Sequence, residues 1–84
     1  MGYNDGVIVE ILKEVERSRM HGEKFASAHE AHSVILEEVE EFWEIVKMKK
    51  CVRDPEKMRK ELVQVTAMAV KAIGSMENFV GGEV

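Results

Sequence analysis

An all-α fold is what this chain of 84 residues predicts: a helical hairpin plus an N-terminal helix, assembling into a four-helix-bundle-type oligomer. Three observations lead there. There is a single proline, and most of the glycines sit near the ends of the chain. Glu, Lys, Met, Ala and Leu, all good helix formers, are plentiful. Apolar residues recur at helical spacing in three segments separated by turn signals. No internal repeat or low-complexity linker divides the chain, so residues 1–84 read as one domain.

The first helix is expected over about residues 6–20, with Asn4 or Asp5 as its cap and Val7, Ile8, Ile11, Leu12 and Val15 as its stripe. His21 to Ala26, HGEKFA, reads as a loop anchored by Phe25. A capping box, Ser27-Ala28-His29-Glu30, then opens a second helix over about 27–49. In CVRDPE, Asp54 is placed as N-cap and Pro55 as first helical residue of a third helix over about 54–78. The tail, 79–84, is expected to fray. The short link between the second and third helices makes them an antiparallel pair.

Composition bounds the function classes. The lone Cys51 has no partner for a disulfide, which points to a reducing, cytoplasmic setting. The N-terminus lacks the basic region of a signal peptide, and no apolar run approaches the roughly 20 residues that span a bilayer. A formal net charge of −4 argues against non-specific nucleic-acid binding. An acidic protein can still take a phosphorylated ligand through a bridging metal ion.

The most informative stretch is Leu36 to Glu44, LEEVEEFWE, where five glutamates stand among apolar residues. Turning about 100° per residue puts Glu38 inside the apolar arc of the second helix, with Glu41 at its edge. Glu37, Glu40 and Glu44 fall further toward water. On the third helix, Glu61 lies in a stripe with Met58, Leu62, Val65, Met68, Ala69, Ala72, Ile73 and Met76, and Gln64 takes the edge. In an antiparallel pair Glu41 comes level with Glu61, and Glu38 with Gln64. Inward-facing carboxylates repel one another and lose hydration, so some must be protonated or a cation must lie between them. Hard cations such as Mg²⁺ or Mn²⁺ take oxygen ligands, and facing helices of bundles build such sites. The alternative is that Glu38 and Glu61 reach past the bundle edge, or pair with Lys57, Arg59 or Lys60.

Glu37-Glu38-Val39-Glu40-Glu41 reads EExxE, and Glu61-Leu62-Val63-Gln64 stands where an ExxD would follow. Together these resemble the all-α nucleoside triphosphate pyrophosphohydrolases, the MazG-like group, including short MazG-like proteins of phages and bacteria. The resemblance runs over about residues 25–76. It implies Mg²⁺ bound by Glu38, Glu41 and Glu61, with Gln64 at the position of the family's aspartate. It also implies hydrolysis of a nucleoside or deoxynucleoside triphosphate to monophosphate and pyrophosphate, by a homodimer or tetramer, with Mn²⁺ as a substitute ion. Glu37 is the spare carboxylate for a general base, beside Glu38 and Glu41 in the catalytic set. A glutamine at position 64 brings no charge, so weaker metal binding and impaired catalysis are expected. A nucleotide- or protein-binding helical oligomer is the competing reading.

Other features carry less. His29 and His32 are three apart, not the four of HExxH, and read either as a weak zinc pair or as a polar helix start. Lys47, Lys49, Lys50, Arg53, Lys57, Arg59 and Lys60 offset the helix dipole around the turn, and Lys57 is the candidate for a substrate phosphate. Trp43 and Phe25 read as core or as base-stacking rings. Leu36, Trp43, Val63 and Val70 widen the apolar stripes beyond one partner's reach, which predicts self-association.

Overall fold

The computed structural model describes residues 5–81, which form three α-helices: α1 (Asp5–Ser18), α2 (Ala28–Val46) and α3 (Pro55–Ile73). Short 3₁₀ turns follow each helix, at Arg19–His21, Lys50–Val52 and Met76–Asn78. Among the described residues there is no strand. The expected cap Asn4 and the tail residues Gly82, Glu83 and Val84 lie outside the described residues.

α3 is the centre of the arrangement, packing against α2 on one side and α1 on the other. Cross-helix bonds fix the directions. Arg59 pairs with Glu10, Gln64 with Glu14, and Lys71 with the carbonyl of Ser18. Both numbers in these pairs rise together, so α1 runs parallel to α3. α2 runs against them: Ala31, near its start, joins Ala67 and Met68 of the later part of α3 in the core. Phe25 completes that cluster, and Ile11, Val15, Val34, Ile35, Ala72 and Phe79 close around it. Ala67 is fully buried, the small side chain that a helix flanked on two sides needs.

Helix starts follow local chemistry. The Ser27 hydroxyl accepts the N–H of Glu30, while the Glu30 carboxylate takes the N–H of Ala26 rather than of Ser27 itself. Asp54 accepts from the N–H groups of Glu56 and Lys57, with Pro55 following it. α2 ends at Val46, three residues before the expected Lys49, because Arg53 draws the chain round: its guanidinium donates to the carbonyls of Val46 and Met48. Several basic residues there therefore act on the helix terminus or on neighbouring acids, as in the Lys47–Glu44 pair.

α3 stops at Ile73, five residues short of the expected end. The reason is Ser75, which is completely buried. Its hydroxyl donates to the carbonyl of Lys71 and accepts the N–H of Phe25. Asn78 then donates to the carbonyl of Phe25. A straight helix through Ser75 and Asn78 would abandon these bonds and leave the Phe25 backbone unpaired in the core. The turn has a consequence for the expected stripe: Ile73 and Met76, placed inward by phase, are exposed. Val63 moves the other way. It is buried, in a region that α1 covers through Val7 and Ile11, so it adds nothing to the surplus apolar surface.

No helix among the described residues is long and apolar enough to cross a membrane. Replacing Ser75 with Ala should cost about 1–3 kcal/mol, since a buried N–H loses its acceptor. A thermal melt should show a fall of at least about 4 °C. An unchanged melting temperature would mean that the Phe25 N–H is satisfied without Ser75.

Candidate metal centre

The acidic face of α2 meets the first half of α3. Glu38 faces α3 and is half-buried, because its neighbours in phase on α2 are the core residues Ala31, Val34, Ile35 and Ile45. Glu37 and Glu41 lie on one flank of it and are exposed. Carboxylate oxygens of Glu37, Glu38 and Glu41 lie within 4.8 Å of one another. Glu61 approaches Glu41 from α3, outside that group of three.

Electrostatics make the cluster costly when it is ionised. Burial pushes the Glu38 carboxyl up to about 7, and the nearby carboxylate of Glu41, then those of Glu61 and Glu37, push in the same direction. Glu61 is raised as well, chiefly by burial and then by Glu41, with Lys60 opposing the rise. One Glu61 oxygen, Oε2, is buried with no hydrogen-bond partner. Carboxyls raised in this way would be relieved by a proton or a cation among them. The donor set is all hard oxygen, the chemistry of Mg²⁺ and Mn²⁺ rather than of zinc.

Gln64 takes a different place. Its Nε2 donates to the carboxylate of Glu14 on α1 at 2.7 Å, and the two side chains line a cleft of about 260 Å³ that Glu38 also borders. Gln64 and Glu61 thus sit one turn apart on α3, but Gln64 spends its amide N–H on α1. Lys57 is exposed on the first turn of α3 and forms no ion pair with the acidic cluster. Arg59 is likewise committed elsewhere, to Glu10. The cations proposed as partners for Glu38 and Glu61 thus leave the cluster largely uncompensated. Lys60 partly offsets the rise at Glu61. His29 and His32 are exposed and join no group of metal-ligating side chains among the described residues. Phe25 is core, whereas Trp43 is about half exposed.

Glu14 is the site-lining residue that the sequence reading passed over. It is mostly buried and also pairs with Arg17 at 3.2 Å. A signal was present: Glu14 lies only about 60° from Ile11 on the α1 wheel, inside the half that faces the core.

The raised Glu38 carboxyl fixes a pH dependence. Between about 4.5 and 7 the folded chain holds a proton that the unfolded chain releases, so stability falls as pH rises through that window. Water screens this half-buried group, so the loss is of the order of 1 kcal/mol. At pH 8, without divalent ions, Glu38→Gln should melt about 4–8 °C higher than the parent chain, and the difference should vanish near pH 4.5. Equal melting temperatures at both pH values would remove the charge repulsion from the account. Comparison of the chain with protein-family models, curated proteins and solved structures finds no match to any of them.

Proposed function

We propose that this chain is a Mg²⁺-dependent nucleoside triphosphate pyrophosphohydrolase of the MazG-like type, hydrolysing the α–β phosphoanhydride to monophosphate and pyrophosphate. The observation that carries the proposal is the orphaned Oε2 of Glu61, buried beside carboxylates of α2. A structural helix pair gains nothing from that arrangement, because an apolar residue would pack there without loss of hydration. A cation would repay it. The EExxE spacing and its phase support the same reading.

Glu38, Glu41 and Glu61 would hold the ion, and Mn²⁺ has the same donor preference. Bound there, the ion supplies neutralisation of phosphate charge and a more acidic water. Glu37, exposed like Glu41 but outside the proposed ligand set, is suited to take the proton of the attacking water. Lys57, unpaired and one turn before Glu61, is free to meet a phosphate oxygen. Gln64 holds Glu14 in place instead of adding a fourth charge from α3.

One observation favours a second reading, a catalytically impaired nucleotide- or protein-binding oligomer: the amide of Gln64 is engaged by Glu14 of α1. In both readings the chain self-associates. Leu36, Val39 and Trp43 on α2, with Ile8, Val9 and Leu12 on α1, leave large apolar side chains in water. A homodimer or tetramer built on these faces would bury them, in a cytoplasmic protein acting on nucleotide pools.

Product analysis tests the enzyme directly. With a panel of canonical and modified triphosphates and Mg²⁺ or Mn²⁺, monophosphate and pyrophosphate should form, and Glu38→Gln and Glu61→Gln should each lose at least about 100-fold in rate. Folded, metal-supplemented protein without turnover would leave the binding reading. Sedimentation at micromolar concentration should give an assembly of two or four chains, and a 9.6 kDa species would overturn self-association.

A further inference from the structure

The cleft bordered by Glu38 and Gln64 does not end at the acidic cluster. It continues along the C-terminal end of α1, where Ser18, His21 and Met68 also line a second cavity of about 430 Å³ between α1, the loop and α2. That volume lies within the usual range for small-molecule sites. Phe25, Val34 and Met68 supply its apolar wall, and Lys24, Lys71 and Glu30 its charged groups, Lys24 being paired with Glu77.

Lys71 is the anomaly. Its side chain belongs to a residue more than nine-tenths buried, yet among the described residues it forms no ion pair. The ammonium donates to the carbonyl of Ser18 at 3.2 Å and lies 4.8 Å from the centre of the Phe25 ring. An ammonium has three N–H donors, so donor capacity remains for a ligand in the cavity that Lys71 lines. A methionine or leucine would fill the same place without the cost of burying a charge. Glu30 is its counterpart. One oxygen accepts the N–H of Ala26, and the carboxylate retains acceptor capacity for a ligand.

We infer that this cavity is a nucleobase pocket that selects an oxo–imino edge, as in uracil, thymine, guanine or hypoxanthine, with Lys71 donating to the ring carbonyl and Glu30 accepting from the adjacent ring N–H. Adenine and cytosine present an amino group beside an unprotonated ring nitrogen, so their donor and acceptor are reversed. The amino group would meet the ammonium, and the ring nitrogen would meet the carboxylate. The inference rests on the nucleotide reading for the class of ligand, and its continuity with the acidic cleft places the phosphates toward Glu38. Lys71 and Glu30 are specificity residues and take no part in hydrolysis.

The test uses neutral nucleosides without divalent ions, so neither catalysis nor metal binding enters the readout. Deoxyguanosine and thymidine, compared with deoxyadenosine and deoxycytidine, are titrated into the full chain, and dissociation constants are read from amide chemical shifts. The oxo nucleosides should bind at least about tenfold more tightly. Shifts should centre on Phe25, Val34 and Met68. Lys71→Met should abolish the preference. Glu30→Gln, an exposed change that keeps the oxygen for Ala26, should weaken it if Lys71→Met does not fold. Equal binding of amino and oxo nucleosides, or inorganic phosphate producing the same shifts, would overturn the pocket assignment. Base preference without triphosphate hydrolysis would sink the enzyme and keep the pocket, whereas hydrolysis without base preference would do the reverse.

Discussion

Everything in this small protein depends on α3 carrying two packing faces. α1 and α2 both find their main partner there, and each lies on a different side of it. Eighty-four residues bury little surface, so a single central helix must serve two neighbours at once. Ala67 at the centre permits close approach, while Val63 and Met68 fill the space on either side. The polar bonds from α1 to α3, at Glu10, Glu14 and Ser18, then set the direction and register that apolar contact alone leaves loose.

The same constraint explains where polar groups are buried. Because α3 is covered on two sides, residues outside its apolar stripe also become enclosed. Lys71 and Ser75 are the clearest cases, and each is held by backbone groups of another segment. Ser75 turns the chain and fastens the loop before α2 through Phe25. Lys71 closes the end of α1. These two contacts shape the cavity beside the acidic cluster. The structural core and the candidate ligand surfaces therefore share walls.

The acidic cluster runs against this economy. Glu38 and Glu61 are placed where burial raises both carboxyls, and no arginine or lysine fully offsets them. Nearby cations are directed elsewhere: Arg59 to Glu10, Arg53 to the carbonyls that end α2, Lys47 to Glu44. A chain with twelve Lys and Arg residues has the means to neutralise the cluster, and its geometry turns several of them elsewhere. Stored repulsion of this kind is released by a proton or a cation, which is why the cluster is the natural centre of any functional account.

The all-helical class, the caps at Ser27 and Asp54 and the inward phase of Glu38 and Glu61 were legible in the sequence. Each follows from bonds or angles within one helix, over a few neighbouring residues. The ends of α2 and α3 were not, because Arg53 and Ser75 make their deciding bonds with partners outside the helical repeat. Nor did helical phase place α1 beside α3. That decision made Glu14 a neighbour of Gln64, buried Val63 and enclosed Lys71. By itself the sequence determined which face of each helix is apolar and where its carboxylates point. Only the tertiary structure decided which charges found partners, since contacts about 50 residues apart depend on how whole helices dock.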